Sequence, residues 1–159
     1  LILSDNLLSG ALPESITELH VLDRLLVNNN DLTGSLPDKI GKLSALSEFN
    51  LSNNYISGHL PESLCHMSSL KFLYLNTNHI SGHIPHGIGK LACLEELNLS
   101  SNHLKGSIPE SIGDLTALSS INLFHNELNG HIPNCIGQLG SLTVLALSSN
   151  HLRGPLPIA

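Results

Sequence analysis

Ten histidines in a chain of 159 residues are the first feature with chemical potential, because imidazole ligates metals and titrates near neutral pH. They recur at fixed intervals: His79, His103 and His151 fall 24 or 48 residues apart, as do His59, His83 and His131. If residues one interval apart lie on neighbouring strands, about 4.8 Å from each other, His79 stands beside His103 and His59 beside His83. A metal centre needs a closed ligand set, and no carboxylate is expected in register to brace these rings. The columns are therefore read as solvated turn residues with a diffuse pH response, and no metal is assigned. Protonating all ten would carry the formal charge from -6 to +4. Cys65, Cys93 and Cys135 are odd in number and form no CxxC pair, so they are expected to be small buried hydrophobes. Serine, histidine and acids are abundant enough to meet by accident. No nucleophile elbow, phosphate loop or HExxH helix organises them. Glu95 and Glu96 are adjacent, and alternate residues of a strand face opposite ways, so they make a poor acid–base pair. The expectation is a non-enzyme without a cofactor.

Binding chemistry is better represented. The chain has no tryptophan and five other aromatics. Phe72 and Tyr74 are two residues apart, so on one strand they point the same way. Phe124 falls on the same predicted face. Aromatic side chains are favoured interface anchors. Glu48, Glu96, Asn50, Asn76, Asn98 and Asn122 are expected around them. Asn50-Leu51-Ser52 and Asn98-Leu99-Ser100 are also sequons, which makes Asn50 and Asn98 candidate glycan acceptors.

What must position these residues is a repeat. A 24-residue period runs through the whole chain without a slip. It divides the chain into six full units (1–24, 25–48, 49–72, 73–96, 97–120 and 121–144) and a partial one (145–159), read as a single array and as a piece of a longer one. Positions 1, 3, 8, 12, 16, 19 and 22 of the units are always Leu, Ile, Val, Phe or Met. Positions 1 and 3 alternate with polar neighbours, as in Leu97-Asn98-Leu99-Ser100, which predicts a short strand with one buried face. Asparagine recurs at position 6, as Asn6, Asn30, Asn54, Asn78, Asn102, Asn126 and Asn150. An amide both donates and accepts, so this column is expected to satisfy backbone groups where the chain bends inward. Glycine at position 10 permits backbone shapes that other residues resist. Proline at position 13 suits the first turn of a helix. The spacing of three between positions 16, 19 and 22 predicts 3-10 turns. Stacked coils would pair their strands into a parallel sheet.

Residues 97 to 115, LNLSSNHLKGSIPESIGDL, show the pattern whole. The chain resembles the plant-type subclass of leucine-rich repeats, found in receptor kinases, receptor-like proteins and polygalacturonase-inhibiting proteins. The resemblance covers the entire chain. It implies a repeat solenoid of the α/β class, a right-handed coil with its parallel sheet on the concave face and 3-10 turns on the convex face. It also implies an extracellular or cell-surface setting, with a cytoplasmic one as the alternative. Relatives usually carry paired-cysteine caps, and receptor kinases a membrane span and a kinase domain; this segment shows none of them.

Charge narrows the partner. A formal charge of -6 with only seven scattered Lys and Arg argues against nucleic acid. No apolar run is long enough to span a bilayer, so no membrane contact is expected of this segment. The leading expectation is a protein or peptide recognition module of a receptor-like ectodomain. An inhibitor of a cell-wall glycoside hydrolase is the runner-up. A structural or ice-interacting surface comes third, weakened by Lys105 and Arg153 in the position-9 column.

Overall fold

Every unit after the first opens on a strand only three residues long, because only positions 1 and 3 alternate with polar neighbours; the first has a single bridge from Ile2 to Leu26. The computed structural model describes residues 1–157. In chain order the strands are β1 (Ser9–Ala11), β2 (Arg24–Leu26), β3 (Asp31–Thr33), β4 (Glu48–Asn50), β5 (Phe72–Tyr74) and β6 (Ser81–His83). They continue as β7 (Glu96–Asn98), β8 (His103–Gly106), β9 (Ser120–Asn122), β10 (Glu127–Leu128) and β11 (Val144–Ala146). Six of them form one parallel sheet in the order β11-β9-β7-β5-β4-β2. In β4, β5, β7 and β9 the central residue is buried and its neighbours are half-buried on the opposite face. Phe49, Leu73, Leu97 and Ile121 thus face inward to a core of leucine and isoleucine that runs the length of the stack.

The return path is helical in short pieces. The 3-10 turns are Glu14–Glu18, Ile40–Lys42, Glu62–His66, His86–Lys90, Glu110–Asp114 and Asn134–Gln138. The spacing of three has a direct cause. In the fifth unit the Ile112 N–H donates to the Pro109 carbonyl at 3.0 Å, Leu115 to Ile112 at 3.3 Å and Leu118 to Leu115 at 2.9 Å. Each apolar residue closes one three-residue turn and opens the next, so all of them project to one side. Proline is placed differently from expectation. Pro13, Pro61 and Pro109 are extended and immediately precede the turn. Proline there supplies an acceptor carbonyl rather than a first-turn residue. Neighbouring turns approach closely enough to require glycine: a Cβ on Gly41 or Gly89 would collide with the carbonyl oxygen of Ser63 or Ser111.

Two smaller parallel sheets, which make up a second row of strands along the stack, were not expected. Positions 7 to 11 form β1 paired with β3, and β6, β8 and β10 paired in order. Glycine at position 10 has φ between 74° and 85° in every unit, which explains its recurrence inside these strands. The thiols also depart from expectation, since Cys65 alone is buried, Cys135 is half-buried and Cys93 is exposed. Burial pushes the Cys65 thiol up to about 11, so it stays protonated.

Candidate ligand-binding surface

The outward face of the six-stranded sheet carries rows rather than a pocket. Register aligns Arg24, Glu48, Phe72, Glu96 and Ser120 in one row. Leu26, Asn50, Tyr74, Asn98 and Asn122 align in the next. Asn76 and Phe124 lie just beyond the strand ends, Asn76 half-buried and Phe124 41 % exposed. The face therefore brings together all nine residues singled out from sequence: Phe72, Tyr74, Phe124, Glu48, Glu96, Asn50, Asn76, Asn98 and Asn122.

Their contacts differ. The Phe72 and Tyr74 rings have centroids 6.4 Å apart and planes within 13°, so they stand as neighbouring plates. The Tyr74 hydroxyl donates to Glu96 Oε2 at 2.7 Å. Burial, and then this bond to a carboxylate, push the phenol well above its ordinary range, so it stays a donor. Glu48 accepts from Arg24, Nε at 2.8 Å and Nη2 at 2.7 Å. Phe124 meets His125 edge to face at 5.7 Å. Asn50 Oδ1 accepts from the Ser52 N–H at 3.0 Å and hydroxyl at 2.7 Å, and Asn98 does the same with Ser100 at 3.1 and 2.7 Å. Asn122 accepts only from the Phe124 N–H, at 3.1 Å, because Phe124 stands where a serine would. Sequence reasoning missed Arg24 and His125 as neighbours. Adding the period to Arg24 gives Glu48, so that pair was readable.

Behind this face the asparagine column spans adjacent coils. Asn78 Nδ2 donates to the carbonyls of Leu51, Leu75 and Asn76, and its Oδ1 accepts from the Ile56 N–H at 2.9 Å. Asn30, Asn54, Asn102 and Asn126 repeat the scheme and are buried with it. Asn150 is half-buried and makes the same bonds, while Asn6 is exposed and reaches only Leu3 and Ser4. The residue before each asparagine turns left-handed, with φ between 54° and 60° from Asp5 to Ser149. This bend aims the amide inward.

The histidine columns run along the second row of strands, where His79 stacks on His103 at 6.0 Å. A carboxylate does stand in register there, contrary to expectation. Glu127, one period beyond His103, lies 3.5 Å from its Nδ1 and 3.5 Å from Lys105 Nζ. Among the described residues, no three His, Cys, Asp or Glu are grouped so as to hold a metal ion. Nor is any helix there long and apolar enough to cross a membrane.

Short parallel strands returned by 3-10 turns and held by an asparagine column define a leucine-rich-repeat solenoid. Family models agree with that geometry, one for a leucine-rich repeat region matching residues 15–106 and one for a leucine rich repeat matching residues 93–152. The chain belongs to the leucine-rich repeat family. No match was found among curated proteins. Among solved structures, the Arabidopsis receptor kinase HAESA, in complex with the peptide hormone IDA and the co-receptor SERK1, is 40 % identical with a TM-score of 0.96. That match covers 99 % of this chain and 26 % of that one. The plant peptide hormone receptor RGFR1, in complex with RGF2, is 33 % identical at 0.97, covering 99 % and 25 %. A plant ice-binding protein is 29 % identical at 0.84, covering 96 % and 57 %. The chain thus spans about a quarter of each of these two receptor chains.

Proposed function

We propose that this chain is a non-catalytic recognition module of a receptor-like extracellular protein, binding a peptide or protein segment along the outward, concave face of its six-stranded sheet. The observation that carries the reading is the set Phe72, Tyr74 and Phe124. Three of the five aromatics stand on one face, outside a core that holds a single aromatic, Phe49, among aliphatic side chains. The structures most like it include receptors with peptide hormones bound, which supports the same reading. Asn50 and Asn98 flank Tyr74 on the strands to either side. They are proposed as glycan acceptors only where no ligand occupies this row, because a sugar there would cover the tyrosine. The likeness to a plant ice-binding protein favours a second reading, an ice-interacting surface. The position-9 column, with Lys105, Asn129 and Arg153, lacks the uniform ladder that reading would use.

The test is a selection of displayed peptides on the folded chain, followed by Tyr74→Ala and Phe124→Ala. Anchor residues cost about 2 kcal/mol or more on truncation, so each variant should weaken selected peptides by at least about tenfold with little change in melting. Peptides that bind both variants as tightly as the parent would overturn the reading.

A further inference from the structure

Only one cation, Arg24, stands on the outward face of the six strands, and it is already committed to Glu48 at 2.7 Å. Lys71, on the neighbouring row, is committed to Glu95 at 3.0 Å. Glu96 is different. It is half-buried in the middle of the sheet, and among the described residues no Lys, Arg or His lies within ion-pair distance of it. Its Oε2 is held by the Tyr74 hydroxyl, while among the described residues no donor reaches Oε1. The carboxylate is therefore oriented by a neutral donor and not by a cation. Beside it in register stands Phe72, and Phe72 and Tyr74 present two nearly parallel rings. A carboxylate with a free oxygen next to aromatic faces is complementary to a cation, by charge and by the quadrupole of the rings. A planar guanidinium suits this better than an ammonium, because it can stack on a ring while its N–H groups reach, within its own plane, a carboxylate beside the ring.

We infer that Phe72, Tyr74 and Glu96 form the receiving site for one arginine side chain of the bound peptide. This rests on the reading of the sheet face as the recognition surface and specifies what that surface selects. Glu48 plays no direct part, since Arg24 already fills the corresponding place on the next strand. That internal pair shows the chemistry in miniature: the face accepts a guanidinium on a position-24 carboxylate. Two strands further along the same row, past Phe72, the protein supplies the carboxylate and leaves the guanidinium to the ligand.

The probe is a blocked pentapeptide of glycine and serine with a central arginine, titrated into the folded chain and followed by the ring resonances of Phe72 and Tyr74. Its twin carries citrulline, which keeps the shape and loses the charge. Saturable shifts with the arginine peptide are expected, weaker by about tenfold or more with citrulline. Glu96→Gln, which keeps size and shape, should reduce the arginine peptide to the citrulline level, and Tyr74→Phe should weaken it in part by freeing the carboxylate. Glu62→Gln, which removes an exposed carboxylate on a 3-10 turn away from the sheet face, should change nothing. Equal binding of the two peptides, or undiminished binding to Glu96→Gln, would overturn the inference, as would the absence of saturable shifts. In that case, selected peptides that still depend on Tyr74 and Phe124 leave the broader reading standing. If they do not depend on them, both fall.

Discussion

A single asparagine shows how much one side chain can do in this coil. Asn78 makes four hydrogen bonds, three from its amide nitrogen to carbonyls and one from the Ile56 backbone to its oxygen. Two of these four reach the preceding coil, so the residue joins neighbours as well as closing its own bend. Asn76 is chemically identical and two residues away, yet it is half-buried on the outer face, and among the described residues its side chain has no hydrogen-bond partner. Asn78→Ala would leave several backbone groups dry and unpaired, and should cost about 1–3 kcal/mol. Asn76→Ala should stay within about 0.5 kcal/mol. Urea unfolding of both variants separates them, and equal losses would mean that the column is not what holds the bends. The position of the column was legible, because an amide fixed at every twenty-fourth residue must do the same work each time. What Asn50 and Asn98 do was not legible. Their bond to the serine two residues on depends on the strand ending there, which no residue type announces.

At the scale of the element, the main-sheet strands and 3-10 turns could be read from periods of two and three, while the two smaller sheets could not. Positions 8, 10 and 12 do alternate, but the middle member is glycine, whose missing side chain hides the period. The left-handed residue at position 5 was hidden too, since its occupants run from Asp5 through Thr77 to His125 with no common type. Most can tolerate the bend. Aspartate and asparagine visit left-handed backbone most readily, and a β-branched residue there is strained. Thr77, at φ 57°, is the one β-branched residue in the series. The row also carries a partial amide ladder, with Asn29 donating to Asp5 at 2.6 Å and Asn53 donating to Asn29 at 2.7 Å. The ladder stops at Thr77, which has no amide to donate to Asn53. Thr77→Asn should therefore relieve strain and extend the ladder by one rung, a gain of about 0.5–1 kcal/mol. The urea midpoint should rise with an unchanged slope. A midpoint equal to or below the parent's would show that the threonine bend carries no strain.

In the whole molecule every coil touches only the coils before and after it, since each strand of the main sheet pairs with strands of adjacent units and nothing else. Stability in such a stack is a sum of unit and nearest-neighbour terms, so the same residue type has a different worth at different places along the array. Position 3 tests this directly. Leu75 lies in the middle of the stack and is fully buried, whereas Leu3, in the first coil, is 37 % exposed. Leu8 and Leu145 are similarly uncovered in the end coils, whereas Leu51 and Leu99 are sealed between neighbours. Truncating Leu75 to alanine removes contacts to two coils and leaves a cavity that strands and turns on both sides resist filling; it should cost about 2–5 kcal/mol. Leu3→Ala removes contacts to one coil at a site already open to water, and should cost less than about 1 kcal/mol. Hydrogen exchange gives the mechanism behind the difference. Backbone amides in β5 and β7 should exchange last, and those that the first coil donates, such as the Leu3 N–H to the Leu26 carbonyl, first. Leu75→Ala should accelerate exchange across the middle coils together, while Leu3→Ala should affect only the first. If both variants instead lowered protection everywhere by the same amount, the array would be folding as one indivisible unit, and the nearest-neighbour account of its stability would be wrong.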